Sequence, residues 1–385
     1  MPLDTSVKRI HESMRDAPQL KGQADTGVAV LDAFLVDGWG LATAASGSIA
    51  SGVCTLEMGV GNDFEDHCVV LVAGATPADV NGEHRLTQGG TTIKFETTAA
   101  DGAVTGTVTV KYAPCGWQKV YTATNKRVYR SQDVTGNRRY LRVNDTGAAY
   151  MRVYGYNTMT AIETGTGNFG NALYWHKADT AGSTPVRYDC FGDSMAFFYA
   201  PSPYYATYGV GYEISAPWFF GDQIYLKPAG DAWGTLITGD TGSYHAAYGA
   251  IGYETNGAGQ YLERIAAGTG GAVQTYVLPC TTQISSGADA SSYTSFGDFP
   301  DTISGALRLT PTYTSDGYST PNVRRGIVPG VYWAPHANLG SYTGFAPRDT
   351  VPGPGALSAR RFMHLFIGTT GKSGAIFMDV TGPWR

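Results

Sequence analysis

Asp63, Glu65, Asp66 and His67 put three carboxylates and an imidazole within five residues. A hard cation wants several oxygen ligands, so the cluster is the chain's most metal-like stretch. It lacks the spacing, the glycine and the terminal glutamate of an EF-hand loop, and the competing reading is a charged turn ahead of a strand at Val69. A second candidate is aromatic. Tyr204, Tyr205, Tyr208, Tyr212, Trp218, Phe219 and Phe220 crowd within seventeen residues. Exposed, such rings stack on sugars or anchor a protein interface; buried, they are the core of a sheet. The favoured reading is core or subunit interface.

Other chemistry is harder to find. The sequence has no GxSxG, Walker A loop, HExxH or Rossmann fingerprint opening a helix. The seven histidines are scattered, and none pairs with another at ligand spacing. The reading is therefore a protein that is not an enzyme and carries no cofactor, no catalytic residue and no resident metal. The five cysteines, Cys54, Cys68, Cys115, Cys190 and Cys280, are odd in number and contain no CxxC, which predicts free, mostly buried thiols.

A mainly antiparallel all-β fold must position these residues. Only 15% of residues are charged, against roughly 25% in an ordinary domain, while 51 Gly and 25 Tyr favour short strands joined by tight turns. Residues 1–26 read as a polar N-terminal arm, removable without loss of the fold. Asp25 or Thr26 caps one short helix whose Val28, Leu31 and Leu35 share a face, and Gly38 stops it. Residues 27–115 read as a small β-sandwich, with Asn81-Gly82 as a hairpin turn and Thr107–Tyr112 as the cleanest alternating segment. Residues 116–385 read as a larger β domain. In it, Phe-Gly-Asp recurs at 191–193, 220–222 and 296–298 as a possible strand–turn unit, residues 281–320 read as exposed loop, and Pro329-Gly330 breaks a strand that resumes at Val323.

The net charge of −5 and the absence of a concentrated basic run argue against nucleic acid. The densest basic stretch, from Lys126 and Arg127 through Arg130, Arg138, Arg139 and Arg142 to Arg152, is interleaved with Tyr129, Tyr140, Tyr150 and Tyr154, as on the solvated face of strands. No 18-residue apolar run predicts a membrane span, and the polar start predicts synthesis in a cytoplasm.

Four groups of segments carry a family likeness: Met14–Pro18 with Val30–Gly40; His67–Val70 with Gly74–Pro77 and Val80–Gly82; Gly116–Lys119 with Thr124–Ser131 and Leu141–Asp145; and Arg325–Gly330 with Asp379–Arg385. On these the chain resembles structural virion proteins of tailed bacteriophages. The resemblance implies a place in the virion tail, at the tip, baseplate or an associated appendage. It implies assembly with itself, as a trimer or hexamer, and with other tail proteins. The alternative is a tail adhesin that attaches to a host receptor or glycan, for which Tyr204, Tyr205, Tyr208, Tyr212 and Trp218 are the candidate contacts. A glycan-cleaving spike enzyme is a weaker third reading.

Overall fold

The computed structural model describes residues 3–209, 213–226, 233–242, 250–251, 259–264, 272–275, 277–279, 307–315, 324–334, 345–368 and 372–385. Strands hold 53% of the described residues and helices 8%, so the mainly antiparallel β architecture expected from composition is the observed one. Tyr212, Cys280, the third Phe-Gly-Asp and most of the expected 281–320 loop lie outside the described residues. Within that expected loop, Thr310–Ser315 is a strand.

A central seven-stranded sheet runs in the order Lys8–His11, Tyr188–Gly192, Ala196–Pro201, Trp218–Asp222, Trp233–Thr238, Gln260–Arg264, Ala272–Gln274. Every residue of Tyr188–Gly192, Ala196–Pro201 and Trp218–Asp222 is buried. Such strands read as continuous apolar runs because both faces are covered. Alternate side chains serve different cores. Cys190, Phe197, Tyr199, Trp218 and Phe220 face one, while Phe191, Phe198 and Phe219 face the other.

The first core is shared by two further sheets. One is the eight-stranded arrangement built from Trp39–Thr43, Ser46–Ala50, Val53–Glu57, Val69–Ala73, Gly82–Gln88, Thr92–Glu96, Gly102–Val104 and Thr109–Tyr112. The other is a five-stranded meander of Trp117–Ala123, Lys126–Ser131, Tyr140–Asn144, Tyr150–Ala161 and Thr164–His176. The opposite face packs on a C-terminal sheet of Val277–Pro279, Thr310–Ser315, Arg324–Trp333, Lys372–Asp379, Arg361–Gly368 and Thr350–Pro352, onto which Ile224–Tyr225 also pairs.

The N-terminal segment is not a free arm. Lys8–His11 pairs antiparallel with Tyr188–Gly192, and Val7, Ile10, Met14 and Leu20 are buried. Arginine holds it there. The Arg85 guanidinium, 5% exposed, donates to five carbonyls: Asp4 at 2.6 Å, His67 at 2.7 Å, and Val7, Val380 and Thr381 at 3.0 Å. That engages all five of its N–H donors and joins both chain ends to the eight-stranded sheet. Arg348 grips Glu12 through two bonds of 2.5 and 3.1 Å and reaches Asp189 at 2.8 Å.

The helix falls where its spacing predicts, as Thr26–Asp32 continued by a π-helical turn Ala33–Asp37, with Val28, Leu31 and Leu35 buried. Its cap is not local. Asp25 makes no side-chain cap; Asp145 Oδ2 accepts the N–H of Gly27 at 2.8 Å and of Val28 at 3.1 Å. Asn81-Gly82 is not a two-residue hairpin either. A 3-10 turn Ala78–Val80 precedes it, and the Asn81 amide exchanges two 2.8 Å bonds with the backbone of Ala75. Pro329-Gly330 does not break its strand. Gly330 sits at φ 74 beneath the Trp384 ring, where a Cβ would come within 2.2 Å of the indole, and a register shift absorbs the irregularity.

The first two Phe-Gly-Asp tripeptides end the parallel-running strands on either side of Ala196–Pro201. Asp193 accepts the N–H groups of Met195 and Ala196, both at 2.8 Å, and Asp222 accepts Thr235 Oγ1 at 2.8 Å. Arg385 ties the pair together, donating to the Asp193 carboxylate and the Asp222 carbonyl.

Candidate functional site

The aromatic cluster divides in two. Trp218, Phe219 and Phe220 are wholly internal; Trp218 stacks near Tyr199 at 6.2 Å, and Phe220 lies 6.0 Å from Trp117. Trp218 is therefore a core residue and not an accessible contact. Tyr204, Tyr205 and Tyr208 lie on a surface turn that includes the short helix Tyr205–Tyr208, none of whose residues is buried. Tyr208 is 54% exposed, with its ring 6.1 Å from that of Tyr204. Tyr205 carries the Arg187 guanidinium 5.5 Å from its ring centroid, and Arg187 pairs with Glu213 at 3.2 Å. Three adjacent tyrosines thus remain at the surface.

The meander brings together a second group. Leu141, Val143, Met151 and Val153 point into the core, so their alternate neighbours Tyr140, Arg142, Tyr150, Arg152, Tyr154 and Tyr156 share the outer face. Register sets arginine against tyrosine, with Arg142 opposite Tyr154 and Arg152 opposite Tyr174. Arg130 lies 5.0 Å from the Tyr140 ring, Arg142 4.8 Å from Tyr154, and Arg152 4.9 Å from Tyr174 and 6.0 Å from Tyr154. Each ring presents its negative face to a guanidinium, which holds both in place.

The charges on this face differ in their partners. Glu163, at the hairpin joining the last two strands, pairs with Arg142 and with Lys126, the latter at 2.7 Å. Among the described residues Arg152 has its two rings and no carboxylate, and its Nε is buried without a hydrogen-bond partner. Tyr129 and Arg127 do not belong to the face. Tyr129 is buried and donates to Asp32 at 2.8 Å, and Arg127 donates to the other oxygen of Asp32 at 3.0 Å. The sequence flags the arginine and tyrosine content of this stretch, and strand register then decides which of them meet.

Glu65, Asp66 and His67 line an open groove of about 680 Å3, with Arg9, Phe64, Gln88, Thr350 and Arg361. Glu65 meets His11 at 2.9 Å and Arg9 at 3.3 Å. Burial alone would raise its pKa, but the hydrogen bond and charge of His11, with Arg9, hold it below the ordinary value. Asp66 accepts the Gly89 N–H at 2.6 Å, and burial together with Arg361 lowers the pKa of His67. Asp63 is exposed. The Glu65 and Asp66 carboxylates are turned to their own chain, and among the described residues no three His, Cys, Asp or Glu side chains are grouped to hold a metal. Cys54, Cys68, Cys115 and Cys190 are buried free thiols. Among the described residues no helix is long and apolar enough to cross a membrane.

No family model and no curated protein matches the chain.

Proposed function

We propose that this chain is a structural protein of a bacteriophage tail, at the tip, baseplate or an associated appendage. It works by packing against copies of itself, as a trimer or hexamer, and against other tail proteins. The observation that carries the reading is the outer face of the meander. Arginine and tyrosine are the side chains that most often anchor protein interfaces, because they offer large rigid contact area with polar ends. Here they are pre-ordered by one another, which lowers the entropy lost on docking. Among the described residues Arg152 meets no acid of its own chain, and it can pair with one on a neighbour.

The surface tyrosines support the second reading, a host-attachment adhesin. Tyr204 and Tyr208 stand 6.1 Å apart at the surface, a spacing on which a sugar ring can stack. Particles carrying Arg152→Glu and, separately, Tyr208→Ala separate the two. The assembly reading expects Arg152→Glu to lower incorporation into particles while the isolated protein folds normally. Incorporation at the wild-type copy number contradicts it. Loss of host adsorption by Tyr208→Ala particles of normal composition supports the adhesin instead.

A further inference from the structure

We propose that Lys177 and Asp145 condense into an intramolecular isopeptide bond that fastens the end of one meander strand to the start of another connection, 32 residues away. Both side chains are completely buried, and Lys177 Nζ donates directly to Asp145 Oδ1. The two remaining N–H bonds of the ammonium are held by the carbonyls of Gln23 and Gly147. Once one proton passes to Oδ1, the lone pair left on Nζ has only the carboxyl group to face. This is the orientation that makes an intramolecular addition fast.

The carboxyl group is prepared from its other side. Asp145 Oδ2 accepts two backbone N–H bonds, from Gly27 at 2.8 Å and Val28 at 3.1 Å. Those donors stabilise negative charge on Oδ2 when the carbon becomes tetrahedral, as an oxyanion hole does. Gly27 must be glycine for this approach: a Cβ there would lie 2.3 Å from the Met151 sulfur and 3.0 Å from the Lys177 stem.

The step balances without a co-reactant. One ammonium proton moves to Oδ1, giving an amine and a carboxylic acid. Nζ attacks Cγ, forming the N–C bond, and the electron pair of the C=O moves to Oδ2. The pair returns, the Cγ–Oδ1 bond breaks, and Oδ1 leaves as water with a second proton from the nitrogen. One N–H remains on the amide. Burial favours the starting proton transfer, raising Asp145 to about 6 from an ordinary 3.8 and lowering Lys177; the remaining charge acting on Lys177 is Asp25.

Mass spectrometry of the digested wild-type protein is the test. The expected result is a branched peptide joining Asp145 to Lys177, one water lighter than the sum of its linear parts, with the linear peptides depleted. In Lys177→Arg, which keeps the charge and lacks the amine, the branched peptide is absent. Full recovery of both linear peptides from folded wild-type protein overturns the proposal. So does a loss of water located within the Asp145 peptide alone, which is a cyclic imide.

Discussion

Single side chains in this fold hold together parts of the chain that are far apart. Arg85 is the clearest case, because its five donors meet carbonyls from both chain ends and from the loop before Val69. Replacing it with alanine leaves buried carbonyls without donors. The expected loss is about 3 kcal/mol, read as a lower midpoint in denaturant unfolding. The aromatics offer a paired contrast. Trp218→Ala opens a cavity against Tyr199 and is expected to cost about 4 kcal/mol. Tyr208→Ala, at an exposed position, is expected to change stability by less than about 0.5 kcal/mol. Equal melting of the two variants would show that the aromatic run is not divided between core and surface. Sequence could not make that division, since Tyr204 to Phe220 reads as one apolar stretch until Trp218–Asp222 is placed between two buried strands.

At the scale of elements, legibility followed locality. The helix face of Val28, Leu31 and Leu35 and the alternation ending at Tyr112 are properties of neighbouring residues, and both elements form. The helix cap comes from Asp145 and the partner of Lys8–His11 from Tyr188–Gly192, more than a hundred residues away in each case. Lys8–His11 carries two basic residues and a histidine in four positions, a composition that reads as solvated until Glu83 and Glu65 are brought to it. Deleting residues 1–24 is therefore expected to destabilise the isolated protein, measured as a lower melting temperature. Docking of this segment should also be acid-sensitive. Burial would raise Glu12, but the hydrogen bond and charge of Arg348 outweigh it and hold its pKa below 4.5; Glu65 is lowered likewise. A carboxylate depressed in the folded state contributes stability above its unfolded pKa, and that contribution is lost as pH falls through the folded value. Amide protection of residues 8–11, corrected for intrinsic exchange, should thus fall as pH drops below about 4.5 while the central strands remain protected. Uniform loss across the sheet would contradict local undocking.

At the scale of the whole molecule, segments far apart in sequence meet one another. Asp32 receives Arg127 and Tyr129, Asp37 receives Lys119 at 2.7 Å, Asp145 caps the helix, and Val380 meets Arg85. These contacts build the scaffold, while the surfaces proposed for assembly are the meander's outer face and the 204–208 turn. A cryo-EM map of the source particle tests the central claim most directly. The account predicts density for this fold in the tail, at three or six copies, with Arg152 and its flanking tyrosines against a neighbouring chain. Absence of the chain from the particle, or its presence with the meander's outer face bare to solvent in every copy, would contradict it.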